Sequence, residues 1–368
     1  MRMTLKRGIA LLLIVLLVSM VAFGQGSKDK ASTADAVLKV GVIYISPPGD
    51  MGYSYMHDQG TIAMEEHFGD KVQVIRMEDI PETDASERTM ESLIDEGCKI
   101  IFANSYNYQQ YMQNVAKRYP NIYFEHCSGY LDNPNMSNYF GRMYQMRYLS
   151  GMIAARMSAS GKIGYVGAYN TPEVVRGINA FTLGVRSINP KATVTVVWTN
   201  TWFDPSLERQ GAISLLDQGC DVIAQHQDTT QPAQAAIDRG KYAIGYNADF
   251  GKILNDERVL VSPMWNWGNY MIPTIQSVLD GTWKSQSYWG GLEDEMIHLS
   301  PISPLVPADM VKAVEAKQQE MHDKTWDVFW GEIWDNTGVM RQKAGEKMSD
   351  EAMLTIDWFV EGVIGSVY

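Results

Sequence analysis

Asp95-Glu96-Gly97-Cys98-Lys99-Ile100-Ile101 returns 122 residues further on as Asp217-Gln218-Gly219-Cys220-Asp221-Val222-Ile223. Each copy reads as a helix end, a glycine cap and entry into a buried strand. The separation is about that of one lobe, so the pair predicts two similar halves. Outward from it, short apolar runs rich in β-branched residues alternate with longer amphipathic stretches. The strand-like runs are 38–45, 72–77, 99–103, 122–126, 162–167, 193–199, 221–225, 242–246 and 259–262. Helical stretches lie at 87–96, 108–119, 148–158, 172–188, 205–218 and 232–239, and a further helix starts near Ser54. This alternation is that of parallel βαβ units, and continuously apolar strands belong to sheets covered on both faces. The predicted fold class is α/β: two doubly wound parallel-sheet lobes joined by a hinge.

Composition supports that frame. A chain of 368 residues suits two ordinary domains, and 45% hydrophobic with 20% charged residues excludes a disordered chain. With 31 Lys+Arg against 43 Asp+Glu, the net charge of −12 argues against a nucleic-acid polymer as partner, because phosphate binding needs concentrated Lys and Arg. Aromatic residues are plentiful, 10 Trp and 19 Tyr. They supply flat apolar faces with a polar handle, so those on loops matter most.

The ends and boundaries can also be read. Arg2, Lys6 and Arg7 precede an apolar run at 9–18, and Ala22-Phe23-Gly24 presents small residues where a signal peptidase cuts. Residues 1–24 read as a signal peptide cleaved after Gly24, and 25–36 as a disordered leader. No cysteine lies near that site, which argues for a soluble exported protein without a lipid anchor. One lobe is expected from 37–142 plus about 263–303, the other from 143–262 plus about 304–368, with crossings near 141–145 and 261–263. Cys98, Cys127 and Cys220 sit in apolar contexts and read as buried free thiols; three cysteines allow one bridge at most.

In open α/β sheets ligands bind beyond the carboxyl ends of the strands. The loop after the first strand is Ser46-Pro47-Pro48-Gly49-Asp50-Met51-Gly52-Tyr53-Ser54-Tyr55. Tyr53 can project from it and stack on a flat ligand, and Ser54 offers a helix cap and a ligand hydrogen bond. Later strands end in Asn104-Ser105-Tyr106-Asn107-Tyr108, His126-Cys127-Ser128-Gly129-Tyr130 and Asn200-Thr201-Trp202-Phe203-Asp204-Pro205. Asp204 reads as a helix N-cap, whereas Trp202 could clamp a ring against Tyr53. The remaining ends are His226-Gln227-Asp228-Thr229-Thr230, Asn247-Ala248-Asp249 and Ser262-Pro263-Met264-Trp265-Asn266-Trp267-Gly268. These loops are polar or aromatic and none is basic. They suit a neutral, planar, hydrogen-bonding small molecule and fit an anion poorly.

Signs of catalysis are lacking. No Gly-x-Ser-x-Gly or His-Glu-x-x-His occurs, and neither a metal nor a cofactor is expected. Neighbouring helix positions diverge by about 100°, so His57-Asp58 reads as a surface or cleft-edge pair rather than a metal site.

Four longer strings carry a resemblance: Gly49-Asp50-Met51-Gly52-Tyr53-Ser54-Tyr55-Met56-His57-Asp58-Gln59-Gly60, Pro172-Glu173-Val174-Val175-Arg176-Gly177-Ile178-Asn179-Ala180-Phe181, Asn200-Thr201-Trp202-Phe203-Asp204-Pro205 and Val278-Leu279-Asp280-Gly281-Thr282-Trp283. From about Leu38 to Tyr368 the chain resembles the basic membrane protein family of ABC-transporter solute-binding proteins, which have a type I periplasmic-binding fold. The resemblance implies a purine stacked between Tyr53 and Trp202, with Asp249 at the position that binds ribose hydroxyls. It also implies departures. Ser54 stands for an Asn, Ser128 for the acidic residue that reads the purine edge, and Trp265 for the lysine that helps hold ribose. Loss of that lysine favours adenine or a related nucleobase over adenosine or guanosine. The expected ligand set is Tyr53, Ser54, Asn104, Ser105, Ser128, Trp202, Asp228, Asp249 and Trp265. The implied partners are a purine and an inner-membrane ABC permease, for a periplasmic monomer. A purine-nucleoside receptor, or a ligand-presenting subunit of a membrane sensor, is the alternative.

Overall fold

The computed structural model describes residues 37–368; the expected signal peptide and leader lie outside the described residues. The first sheet begins with β1 (Leu38–Ile43), β2 (Val72–Met77), β3 (Ile100–Ala103), β4 (Tyr123–Cys127) and β5 (Met136–Gly141). The second uses β6 (Lys162–Gly167), β7 (Thr193–Trp198), β8 (Val222–His226), β9 (Tyr242–Ile244) and β10 (Val259–Val261). β11 (Pro263–Trp265) then pairs antiparallel with β13 (Ile297–Leu299), while β12 (Ser287–Gly290) between them joins the first sheet beside β5. β14 (Ile333–Trp334) and β15 (Met340–Gln342) form a small antiparallel pair, and β16 (Val363–Ile364) closes the second sheet beside β7.

Both six-stranded sheets are parallel throughout. Their orders are β12-β5-β4-β3-β1-β2 and β10-β9-β8-β6-β7-β16. The strand order therefore reverses between β1 and β3 in one sheet and between β6 and β8 in the other. Those are the switch points where a crevice opens at the strand ends.

Period-two alternation explains why the strands are apolar on both faces. Val40, Val42, Ile100 and Phe102 face a core cluster shared with the helices Tyr144–Met157 and Pro172–Ile188. Ile43, Ile101 and Ala103 face the other side of the first sheet, with Met90, Leu93 and Met112 from its outer helices. In the second lobe Val222 and Ala224 join the shared cluster, while Ile223 packs with Leu215, Ala236 and Val259.

The echoed heptapeptides form the same device twice. Gly97 (φ 95°) and Gly219 (φ 91°) end their helices in left-handed geometry. Their amides donate to Ile94 and Leu216, and the next residues, Cys98 and Cys220, donate to Leu93 and Leu215. Those bonds satisfy the orphan carbonyls of the last turn and turn the chain into β3 and β8. Cys98, Cys127 and Cys220 are buried and free.

Three features depart from the sequence reading. The strands β5 and β12 and the helix Gly268–Leu279 were not among the expected elements. The helix Tyr144–Met157 starts four residues before the expected 148. His57 is buried, stacked on Trp267 with ring centroids 4.1 Å apart, so it is neither a surface nor a cleft-edge residue. Where the chain crosses between sheets, Ser262 and Ser300 bond reciprocally: Ser300 N donates to the Ser262 carbonyl (2.8 Å), and Ser262 N to Ser300 Oγ (2.9 Å).

Candidate ligand-binding site

Loops at both switch points enclose one narrow slot. Ile45, Tyr53, Asn104, Ser105, Tyr106 and Ser128 line it from the first sheet. Glu173, Trp202, His226, Asp228 and Tyr246 line it from the second. Empty space in the slot totals about 350 Å³.

The first-sheet wall is built by hydrogen bonds. Tyr53 opens the helix Tyr53–Phe68, and its hydroxyl donates to the Asn104 carbonyl at 2.7 Å. Asn104 accepts from Ile45 N at its side-chain oxygen (2.9 Å) and donates from Nδ2 to Ser54 Oγ (3.2 Å). Ser54 itself is wholly buried and bonds Ser46 Oγ at 2.8 Å, so it braces the loop beneath the slot and does not line it. Ser105 Oγ donates to Glu82 at 2.6 Å, and its carbonyl is bonded to His126 Nε2 at 2.8 Å. Tyr53 further packs edge-on against the stacked pair of His57 and Trp267.

The second-sheet wall differs. Trp202 packs edge-on against Tyr169, and its indole nitrogen is buried without a hydrogen-bond partner among the described residues. Asp228 N donates to the Trp202 carbonyl at 3.3 Å, tying the loops after β7 and β8 together. His226, at the end of β8, sits 3.2 Å from Glu173 Oε1 and 3.3 Å from the Tyr246 hydroxyl through Nε2. Burial pushes its pKa down to about 4, so the ring is neutral at pH 7 despite the adjacent carboxylate. Behind it lies the fully buried Arg147, its guanidinium 3.6 Å from the Tyr246 ring centroid.

The two walls meet at Gly52. A Cβ built there would stand 2.0 Å from the Asp228 carbonyl oxygen of the other lobe. Only a glycine permits that approach.

Of the nine expected residues, Tyr53, Asn104, Ser105, Ser128, Trp202 and Asp228 share this slot. Three others do different work. Asp249 caps the helix Phe250–Leu254, accepting from Lys252 N at 3.1 Å, and does not line the slot. Trp265 is fully buried, donates to Asn247 Oδ1 at 2.9 Å and stacks on Trp267, which is itself buried. Both tryptophans are core: Trp265 ends β11 and Trp267 precedes the helix Gly268–Leu279. Asp204 does cap its helix, accepting from Ser206 N and Leu207 N. Sequence reasoning passed over Glu173 and Tyr246 as lining residues. Glu173 was visible as the residue directly after the helix-starting Pro172, in the first helix after β6. Among the described residues no group of His, Cys, Asp and Glu could hold a metal ion, and no helix is long and apolar enough to cross a membrane.

Two parallel-sheet lobes closing on a slot at their switch points define a two-lobed solute-binding protein. The family of ABC transporter substrate-binding proteins described as PnrA-like matches residues 37–328, and the chain belongs to it. A purine-binding protein of Brucella abortus is 41% identical over 333 residues, covering 90% of this chain and 95% of that one. A putative ABC transporter glucose-binding protein of Haloferax volcanii is 39% identical over 326 residues, covering 88% of this chain and 80% of that one. In fold, the chain is similar to a solute-binding protein of an ABC transporter system from Aeropyrum pernix, with a TM-score of 0.69 and 18% identity over 86% of this chain and 95% of that one. The family consists of binding proteins and not enzymes.

Proposed function

We propose that this protein is exported and binds a purine, with adenine or a related nucleobase favoured, for delivery to an inner-membrane ABC permease. The observation that carries the reading is a single slot lined by Tyr53 from one lobe and Trp202 from the other. A planar ring inserted there would touch both lobes, and a ligand that contacts both stabilises the closed state. The polar residues around it offer hydrogen bonds without a basic cluster, as a neutral base requires. The Brucella relative's purine binding supports the same reading.

A second reading, a nucleoside, has its own support. The slot continues into a chamber with about 1080 Å³ of empty space, sharing Tyr106, Ser128 and Glu173 and walled further by Asn138, Arg176 and Trp289. A ribose could extend into it. Titration calorimetry with adenine, hypoxanthine, adenosine, guanosine and glucose separates the possibilities. Adenine binding about tenfold tighter than either nucleoside is expected. Tighter nucleosides would replace the nucleobase reading with the second one, and binding of glucose alone would overturn both.

A further inference from the structure

The slot holds a carboxylate whose hydrogen bonding is half used. Glu173 occupies the first turn of the helix Pro172–Ile188, the first helix after β6, where a helix dipole favours negative charge. Its side chain is 16% exposed and lines both the slot and the adjoining chamber. One oxygen, Oε1, faces His226 Nε2 at 3.2 Å. The other accepts no hydrogen bond from the described residues.

His226 fixes the direction of that carboxylate. A neutral imidazole carries one N–H, and only the tautomer with the proton on Nε2 makes a favourable contact with Glu173. The ring is locked between the Tyr246 ring, 4.7 Å away by centroids, and the slot wall. Trp202 lies on its other flank at 6.4 Å. Burial, the helix start and the histidine together hold Glu173 in one position facing the ligand space. An ionised carboxylate only accepts, so such a group selects ligands that present an N–H. Bonds of this charge-assisted kind are about twice as strong as neutral ones.

We propose that Glu173 is a specificity-determining residue: its free oxygen accepts a hydrogen bond from an N–H on the edge of the bound base, while His226 holds its other oxygen in place. This rests on the purine reading above. The ligand class is thereby narrowed to bases with an exocyclic amine or a ring N–H directed at the second lobe.

Titration calorimetry on the wild type and on Glu173→Gln with adenine, N6,N6-dimethyladenine and 9-methyladenine tests it. Glu173→Gln is expected to bind adenine about tenfold more weakly, with an unchanged thermal midpoint. One of the two methylated bases should also lose about tenfold on the wild type but much less on the variant, since donor and acceptor form one coupled pair. Equal adenine affinity in the two proteins would overturn the proposal, as would methylation losses identical in both. If Glu173→Gln does not fold, Glu173→Asp keeps the charge and retracts it by one methylene; it must weaken adenine binding too. Failure of the wild type to bind adenine or any other purine would sink the purine reading and this assignment together. Normal purine binding with an indifferent Glu173→Gln would sink the assignment alone.

Discussion

The two walls of the slot are made from equivalent βα loops, yet they are finished differently. On the first lobe, Tyr53, Asn104 and Ser105 have their polar groups engaged with Asn104, Ser54 and Glu82. On the second lobe, the Trp202 indole N–H and His226 Nδ1 are buried without partners among the described residues, and Arg147 behind them has two such nitrogens. Buried polar groups are normally paired, and each unpaired one costs about 1–3 kcal/mol. The first lobe has buried groups unpartnered among the described residues too, His57 Nε2, His126 Nδ1, Tyr139 Oη and Trp267 Nε1, but they lie beneath its wall, whereas Trp202 and His226 line the slot itself. The first wall thus behaves as a preformed platform, and the second carries groups that a ligand can satisfy. Recognition is unevenly divided even though the topology is nearly symmetric.

The sharpest way to break this comparison is to keep the walls apart. Gly52→Ala places a methyl against the Asp228 carbonyl, a contact of 2.0 Å before relaxation. The lobes would then have to stand off, and if about 1% of molecules remained competent to close, affinity would fall roughly 100-fold. Calorimetry gives the loss, and small-angle scattering should show no compaction on adding adenine. Wild-type affinity in Gly52→Ala would mean that this closed geometry is not the liganded one.

A smaller effect separates platform from reader. Trp202→Ala should weaken adenine by about 1–3 kcal/mol, as for other base–aromatic stacks. Tyr53→Phe keeps the ring and removes the hydroxyl's bonds to the Asn104 carbonyl and to Cys127 Sγ (3.4 Å), so it should cost about 1 kcal/mol of stability and little affinity. Thermal melts and titrations of both variants check the division. If Tyr53→Phe lost more affinity than Trp202→Ala, the assignment of the two walls would be reversed.

The smallest expected effect concerns pH, and here the lobes are alike. Each buries a glutamate: Glu125, which accepts from Tyr270 and Trp283, and Glu208, which accepts from Thr229. Burial pushes both up to about 7, against hydrogen bonds that pull the other way. A folded-state pKa above the unfolded one means that the folded chain binds more protons. The contribution to stability is complete below about pH 4.5 and is lost as pH rises through 7. His57, His126 and His226 act oppositely, because burial holds them down to about 3, 4 and 4. Their neutral forms contribute stability above the usual histidine value that is lost as pH falls through these lowered values. The melting temperature should therefore peak near pH 6.5 and decline by a few degrees toward pH 8, roughly 1 kcal/mol per several degrees. Glu125→Gln should flatten the alkaline side of that profile; an unchanged profile would show that Glu125 does not titrate there.

Much of this was legible in one dimension. Strands continuous in Val, Ile and Ala, and glycines closing helices at Gly97 and Gly219, are local signals with local causes. Six of the nine expected ligand residues fell in one slot because parallel βα topology delivers every such loop to the same edge of its sheet. Other elements lacked a local signal. β5 holds Ser137 and Asn138 in a fully buried strand, and its partner β12 pairs Ser287 with Asn138 across 149 residues. The helix Gly268–Leu279 contains Pro273, which reads as a helix breaker.

The amino-acid sequence by itself determined the α/β class, the doubled architecture, the family and the aromatic character of the strand-end loops. Periodicity, turn chemistry and composition are properties of neighbouring residues, and they survive in a linear reading. Only the tertiary structure decided which loop side chains face one another. It made Trp265 and Trp267 core and Asp249 a helix cap, and it brought Glu173 and His226 from separate loops into the wall opposite Tyr53. Side-chain direction at a strand end depends on packing against residues a hundred or more positions away, and that is where the chemistry of the slot is set.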